Sequence, residues 1–290
     1  MNKEPGFSEL ADCKIAIWGL GLIGGSLAYA LSGKCASLIG IDPDPDTVEL
    51  AAASNIFNSV SLRPETMVSE ADLIILAAPV CAILTQLEAL PGLHPEPCVV
   101  LDLGSTKRQI MEAMVALPSR FEPVGGHPMC GNEYSSYRYA DASLFSGTNF
   151  ALVKSPRTSP HALSLAEDCV RHIGAVPLWL DAETHDNWTA MTSHMPYLIA
   201  NAVAASISID ASPLAGSGFR STSRLAAASP TMMVDILLTN QDFLLEAIQD
   251  FQTNLESLAD NIRRGDRAEL EKKLQQSRNA RTALLNRGEA

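Results

Sequence analysis

The sequence predicts an α/β amino-terminal domain built on a mostly parallel sheet, followed by an all-α carboxyl-terminal domain. Three observations carry that prediction. Residues 15–42 hold a short apolar run, a glycine-rich turn, a helical stretch and a second apolar run ending in an acid, all within one βαβ length. Short apolar runs recur at residues 71–77, 98–103, 149–153 and 176–180, separated by helical patterns or turn signals. From about Asp181 onward strand signals cease and long helical periodicities take over. The boundary is set there, giving domains 1–181 and 182–290.

The first element is Ile15, Ala16, Ile17 and Trp18, too short for a helix and stopped by Gly19, which predicts a buried parallel strand. Gly19, Gly21 and Gly24 follow at G-x-G-x-x-G spacing. The first permits the tight turn, the second lets backbone approach a pyrophosphate, and the third seats helix against strand. A helix over residues 22–31 directs its free N–H groups, Leu22 and Ile23 among them, at the phosphates. The run 37–41 ends in Asp42, near the twenty-residue offset at which a carboxylate accepts both hydroxyls of the adenosine ribose. The expected fold is thus Rossmann-type, and the acid favours NAD over NADP. Residues 15–33 carry no charge, but the glycines split the run and no second span follows, which argues against a membrane helix.

The 290 residues are 47% hydrophobic and 19% charged, a globular balance with room for two domains. The net charge of −12 excludes neither enzyme nor small-molecule binder, but it argues against nucleic-acid and anionic-membrane partners, which need a basic face. Six cysteines lack C-x-x-C pairing and several sit in apolar runs, the pattern of buried thiols in a reducing cytoplasm. No metal-ligand spacing stands out, and the first fourteen residues lack the basic-then-apolar order of a leader.

The strand at 71–77 ends at Ala78 and Pro79, and the crevice of an open parallel sheet lies beyond such carboxyl ends, so Pro79 should border the cofactor. The run 98–103 leads into Gly104, Ser105, Thr106 and Lys107, which brings a hydroxyl and an ammonium to the same rim. Asp102 reads as a hydrogen-bonded strand-end carboxylate or as a ligand. At residues 125–128 two glycines precede His127 and Pro128; the proline holds His127 extended and the glycines allow the chain to pass close to a ligand. The residues alone leave His127 open between a structural loop histidine and a site histidine.

In the second domain Trp188, Met191, Met195, Leu198 and Ala202 form an apolar stripe with His194 near it, and Pro196 predicts a kink beside that histidine. His194 by itself is a core histidine or a site residue. Residues 216–224 (GSGFRSTSR) predict a polar Gly-rich loop carrying Arg220 and Arg224, whose planar forks match a carboxylate bidentately. Ser229 and Pro230 predict a helix start, and apolar positions from Met233 to Ile262 predict one face about thirty residues long, enough to pack on a second subunit. Residues 266–287 predict a charged, solvated helix.

The ordered motifs GLGLIGGSL, GSTK, GGHPM, TSHMP, GSGFRSTSR and TMMVDILLTN cover most of the chain, and with them the sequence resembles the prephenate and arogenate dehydrogenases. The resemblance implies an oxidoreductase of tyrosine biosynthesis that performs an oxidative decarboxylation with NAD. It also implies a helical dimerisation domain, a homodimer and an active site between the domains. By the same resemblance His127 hydrogen-bonds the ring hydroxyl of the substrate, Ser105 is its partner near the nicotinamide, and His194 is a second active-site histidine. Arg224, with Arg220 and Ser217 nearby, would bind the substrate carboxylate. Ser221, Met233 and Tyr197 depart from residues common in the family. Glu133, six residues after His127, would meet the ammonium of arogenate if it faces the ligand and is otherwise a surface carboxylate; prephenate and arogenate both stand, with prephenate preferred through Asp42 and NAD. A β-hydroxyacid dehydrogenase or imine reductase would want a helix-borne lysine, which the helix following Asp181 lacks; a non-catalytic NAD sensor would bind cofactor without needing His127.

Overall fold

The computed structural model describes residues 10–131 and 136–287. One sheet contains β1 Lys14–Trp18, β2 Ser37–Ile41, β3 Ser59–Ser61, β4 Leu73–Leu76, β5 Cys98–Asp102, β6 Phe121–Pro128, β7 Asn149–Lys154 and β8 Val176–Leu180. Its spatial order is β3-β2-β1-β4-β5-β6-β7-β8. Pairing is parallel from β3 through β6, antiparallel between β6 and β7, and parallel again between β7 and β8.

Two-residue alternation sends successive side chains to opposite faces, and both faces are covered. Ile15, Ile17, Leu73, Ile75, Val99 and Leu101 pack into one apolar cluster with Leu27 and Leu31 of α1 (Leu22–Leu31) and Leu165 of α5 (Pro160–His172). Ala16, Ile74, Leu76 and Val100 face the other way, onto Ile83 and Leu87 of α3 (Val80–Leu93) and Ile110 and Met114 of α4 (Arg108–Ala116). The helix after β2, α2, spans Pro45–Ala53 with Asp44 accepting from the Thr47 N–H at its start. Pro45 opens it, a residue well placed in a first turn because its missing N–H has no intrahelical partner there.

The helical segments that follow are α6 Ala182–Thr189, a π-helical turn Ala190–His194, α7 Met195–Ala205, α8 Ser217–Ser223 and α9 Pro230–Thr239. By contact density the chain divides into one compact unit ending at Gln241 and a second beginning at Asp242. The second unit holds most of α10 Gln241–Arg264 and all of α11 Arg267–Arg287; within it Lys273 hydrogen-bonds Ser257, and Arg263 reaches Glu256 at 2.6 Å. The side chains of α11 are mostly exposed, as its charge pattern predicts. Among the described residues no helix is long and apolar enough to cross a membrane.

Several local expectations are corrected. The stripe through Trp188 and Met191 is not the buried one: those two are 49% and 44% exposed, and Ala190, His194, Tyr197 and Ala200 face inward instead. A π-turn adds a residue to the helical repeat and rotates the faces beyond it. The break at Pro196 is present, but as that turn followed by α7, in whose first turn proline's missing N–H leaves no bond unmade. Residues 217–223 form a helix rather than a loop, and Ser229 starts α9 without a side-chain cap. The thirty-residue helix is interrupted at Asn240 (φ −128°, ψ 34°), separating α9 from α10. Met233 and Tyr197, two of the departures from the family pattern, are buried in the apolar cluster on the α3 side of the sheet.

The glycine turn takes the predicted form. Gly19 has φ +109°, and a Cβ there would lie 2.4 Å from the Ala77 carbonyl oxygen; one on Gly24 would lie 1.9 Å from that of Gly19. Gly24→Ala must therefore push α1 off the turn. Overpacking of this kind costs roughly 1–3 kcal/mol, or roughly 2–12 °C in Tm for a domain of this size. Calorimetry on the purified variant checks this, and an unchanged Tm would show that the helix is not seated on Gly19.

Candidate active site

A buried clamp sets the position of β6. Lys107 and Asp102 are an ion pair without solvent exposure, at the start of α4 and the end of β5. The carboxylate also accepts from the Gly104 N–H at 2.8 Å and the Gly126 N–H at 3.2 Å, while the ammonium donates to the Gly126 carbonyl at 2.7 Å. Burial pushes the Asp102 pKa up and that of Lys107 down, and their mutual attraction opposes both shifts. The ammonium expected at the rim thus points inward, because an unpaired buried Asp102 would be far more costly. Asp102 is the hydrogen-bonded strand-end carboxylate of the two readings.

The paired glycines serve this packing rather than a ligand. A Cβ on Gly126 would stand 2.6 Å from the Asp102 carbonyl oxygen, and one on Gly125 would meet the Met111 sulfur at the same distance. The G-G-H-P stretch is not a loop: it is the second half of β6, in register with β7 through His127 opposite Ala151. A strand residue has its side-chain direction set by the pleat, so His127 projects from one face of the sheet at the carboxyl end.

Behind His127 lies a chain of buried polar groups that the sequence motifs do not announce. His127 Nδ1 is 2.9 Å from His185 Nε2, and His185 Nδ1 is 2.8 Å from Asp186 Oδ1. Both residues belong to α6, whose first turn is capped by Asp181 accepting from the Thr184 N–H. The Asp186 carboxylate further accepts the Lys107 N–H at 2.7 Å and the Arg108 N–H at 2.9 Å, the first free donors of α4. Burial alone would raise the Asp186 pKa, but His185 and these two N–H groups outweigh it and hold the pKa below the usual carboxylate value. Burial drives His127 well below the ordinary imidazole pKa, reinforced by His185, Lys107 and His194, and lowers His185 as well. Both are neutral at neutral pH.

His127 is shared by the walls of two cavities. One, of about 240 Å³, is bordered by Gly21, Leu22 and Ile23 of the glycine turn, by Pro79 and by Ser105. The other, of about 530 Å³, is bordered by Arg224, Thr192 and Ser193. The structure thus brings His127, Ser105, Pro79, the glycine turn and Arg224 together. Asp42 sits beside the turn, where its carboxylate accepts the N–H groups of Leu20 at 2.7 Å and Asp44 at 2.9 Å. The first cavity lies where the strand order reverses between β1 and β4, the usual crevice of an open α/β sheet. Glycines at the turn, unpaired N–H groups at the start of α1 and a strand-end acid fit a dinucleotide.

Neither cavity wall includes His194, Ser217 or Arg220. His194 is buried behind the wall, with Nδ1 3.2 Å from the Asn240 amide nitrogen, and burial lowers its pKa to about 4. Ser217 and Arg220 are exposed on α8, Arg220 one turn before Arg224. Glu133 lies outside the described residues. Asn240, which breaks the long helix, donates to the Asp186 carbonyl at 2.7 Å and ties α9 to this network.

The buried histidines have a pH consequence. With a folded pKa near 4 against about 6.5 unfolded, His194 takes up its proton earlier in the unfolded chain. Its stabilising effect is complete above pH 6.5 and is lost as pH falls from there toward 4. Urea melts at pH 7 and pH 5 are expected to show lower stability at pH 5, with a smaller difference in His194→Gln; equal differences in the two proteins would count against a buried neutral His194.

Known proteins resemble this chain along both halves of its length. Residues 27–178 match the prephenate dehydrogenase nucleotide-binding domain, and residues 181–276 match the prephenate dehydrogenase dimerization domain. A prephenate dehydrogenase of Bacillus subtilis is 32% identical over 265 residues, covering 87% of this chain and 71% of that protein. The structure of Aquifex aeolicus prephenate dehydrogenase in complex with hydroxyphenyl propionate and NAD+ superimposes with TM-score 0.87 at 26% identity, over 97% of this chain and 100% of that one. Synechocystis arogenate dehydrogenase gives TM-score 0.79 at 30% identity, over 93% and 99%. Carrying both domains in order on a matching fold, the chain belongs to the prephenate dehydrogenase family of oxidoreductases.

Proposed function

We propose that this protein catalyses the NAD-dependent oxidative decarboxylation of prephenate to 4-hydroxyphenylpyruvate. The observation that carries the reading is the position of His127, between a cavity bordered by the glycine turn and one bordered by Arg224. Gly19, Gly21 and Gly24, the α1 N–H groups of Leu22 and Ile23, Pro79 and Asp42 would hold the dinucleotide; the acid disfavours a 2′-phosphate, so NAD is preferred to NADP. When bound there, NAD supplies the acceptor for the hydride on the ring carbon that carries the hydroxyl.

His127, neutral and half-buried, accepts the proton of that hydroxyl as a carbonyl develops, with the Ser105 hydroxyl as second partner on the same wall. Arg224 binds and orients a substrate carboxylate from the second cavity, and Arg220, one turn away, adds positive charge at that end. Loss of carbon dioxide follows from the gain of aromaticity and asks of the protein only that it hold the ring in place. We assign His194 and Ser217 supporting places around this site, His194 through Asn240. Residues 1–181 and 182–290 are taken as nucleotide and substrate domains, the latter pairing two copies into a homodimer. Exposed apolar side chains such as Val234 and Leu238 on α9 and Leu255 and Ile262 on α10 suit that pairing. The free cysteines suit a reducing cytoplasm.

The test incubates the purified protein with prephenate or arogenate, each with NAD or NADP, and follows the reduced nicotinamide. Prephenate with NAD is expected to give the highest kcat/KM; a preference for arogenate would transfer the same chemistry to the amino substrate, and no turnover in any condition would overturn the reading. His127→Asn is expected to lower kcat by roughly 10²–10⁴-fold with KM little changed. Arg224→Ala removes a charge-assisted bond of roughly 1.5–3 kcal/mol, so KM for prephenate should rise roughly ten- to a hundred-fold while NAD affinity stays the same. Equal losses for both ligands would remove Arg224 from the substrate site.

A further inference from the structure

We propose that His185 is a positioning residue that fixes the tautomer of His127 and holds the substrate's proton during turnover, Asp186 anchoring the pair. This rests on the oxidative decarboxylation proposed above. The hydrogen-bond chain has one consistent direction. Asp186 receives N–H donors from Lys107 and Arg108, and its low pKa keeps it a carboxylate, so His185 Nδ1 must carry the hydrogen between them. His185, neutral through burial, then presents a lone pair at Nε2, and the 2.9 Å contact requires His127 Nδ1 to donate. The Nε2 of His127 is left unprotonated on the residue that walls both cavities. A lone imidazole in water favours the opposite arrangement only slightly, so the anchored carboxylate decides which nitrogen is the base.

The proton balance gives the pair a second task. Prephenate begins with an alcohol and the product ends with a phenol, so the proton taken from oxygen is needed again after carbon dioxide leaves. As it moves to His127 Nε2, the Nδ1 hydrogen passes to His185 Nε2, placing the positive charge beside the Asp186 carboxylate. Lys107, Arg108 and His194 are the other positive or titratable groups around the pair, and Asp102 partly offsets Lys107. Lys107 opposes a positive charge on either ring, but on His185 that charge also meets a carboxylate at 2.8 Å. When the ring becomes aromatic, the phenolate oxygen takes the proton back along the same path, and no proton is lost.

The test has two arms. In the unliganded full-length protein labelled with ¹⁵N, imidazole nitrogen shifts at pH 7.5 are expected to show His127 and His185 both as neutral Nδ1–H tautomers. A His127 protonated at Nε2 overturns the relay. In His185→Gln the amide oxygen can still accept from His127 Nδ1 but cannot take up a proton, so kcat is expected to fall at least about ten-fold, the general-base range being larger still, with KM for prephenate within about two-fold. Unchanged kcat overturns the proton-holding role, and a parallel rise in KM would mark His185 as structural. Wild-type protein inert toward prephenate and NAD would overturn the function and with it the catalytic part of the relay, whereas the ¹⁵N arm needs no substrate and judges the tautomer alone.

Discussion

The Asp186 carboxylate gathers more of this site than any other group. It satisfies the first N–H donors of α4, which would otherwise be left unpaired in the interior, and it receives His185 from its own helix. Through its backbone carbonyl it also holds Asn240, the residue at which the α9 path ends. A buried carboxylate is tolerable only with such partners, since a bare one would be strongly disfavoured. The same bonds that offset its burial therefore join the sheet-bound helix α4 to the helices α6 and α9.

A second buried carboxylate, Asp102 at the end of β5, does the equivalent work for β6. With Lys107 it grips both the N–H and the carbonyl of Gly126, so the residue before His127 is held at two points. Lys107 is common to both arrangements, giving its side chain to Asp102 and its backbone N–H to Asp186. His127 consequently has its backbone set by one acid and its ring set, through His185, by the other. Positioning of this kind matters because proton transfer and hydride loss both depend on sub-ångström placement of the reacting atoms.

The cavities show how a family fold is turned toward one chemistry. The glycine turn and Pro79 stand at the reversal of strand order, where any doubly wound sheet offers a crevice. Polar side chains line the edge of that crevice: Ser105 after β5, His127 at the end of β6, and Arg224 after α8. The π-turn at Ala190–His194 belongs to the same region. It turns His194 inward toward Asn240 while Thr192 and Ser193 border the larger cavity, and one extra residue in the turn separates these two roles.

Residues 15–42 show what could be read without coordinates: strand, turn, helix and acid each depend on neighbours a few positions away, and local sterics suffice to specify them. The strands at 98–102, 149–154 and 176–180 were legible for the same reason, and motif resemblance singled out His127, Ser105 and Arg224. The inward turn of Lys107, the strand geometry of Gly126 and His127, the helix at 217–223 and the break at Asn240 were not legible. Lys107 turns inward onto Asp102, and the bonds from Asp186 to the Lys107 N–H and to Asn240 join segments far apart in the chain; no periodicity records which buried polar groups will find one another. His185 and Asp186 had as their only signal an H-D pair in the first turns of a helix, ordinary on a surface; burial beneath α4 makes them a continuation of the site. Sequence by itself determined most of the strands, the nucleotide turn and the family; tertiary structure decided the β3 edge, the reversed β6–β7 pairing and which nitrogen, which carboxylate and which helix end meet, because hydrogen-bond satisfaction in the interior is settled only when distant segments pack.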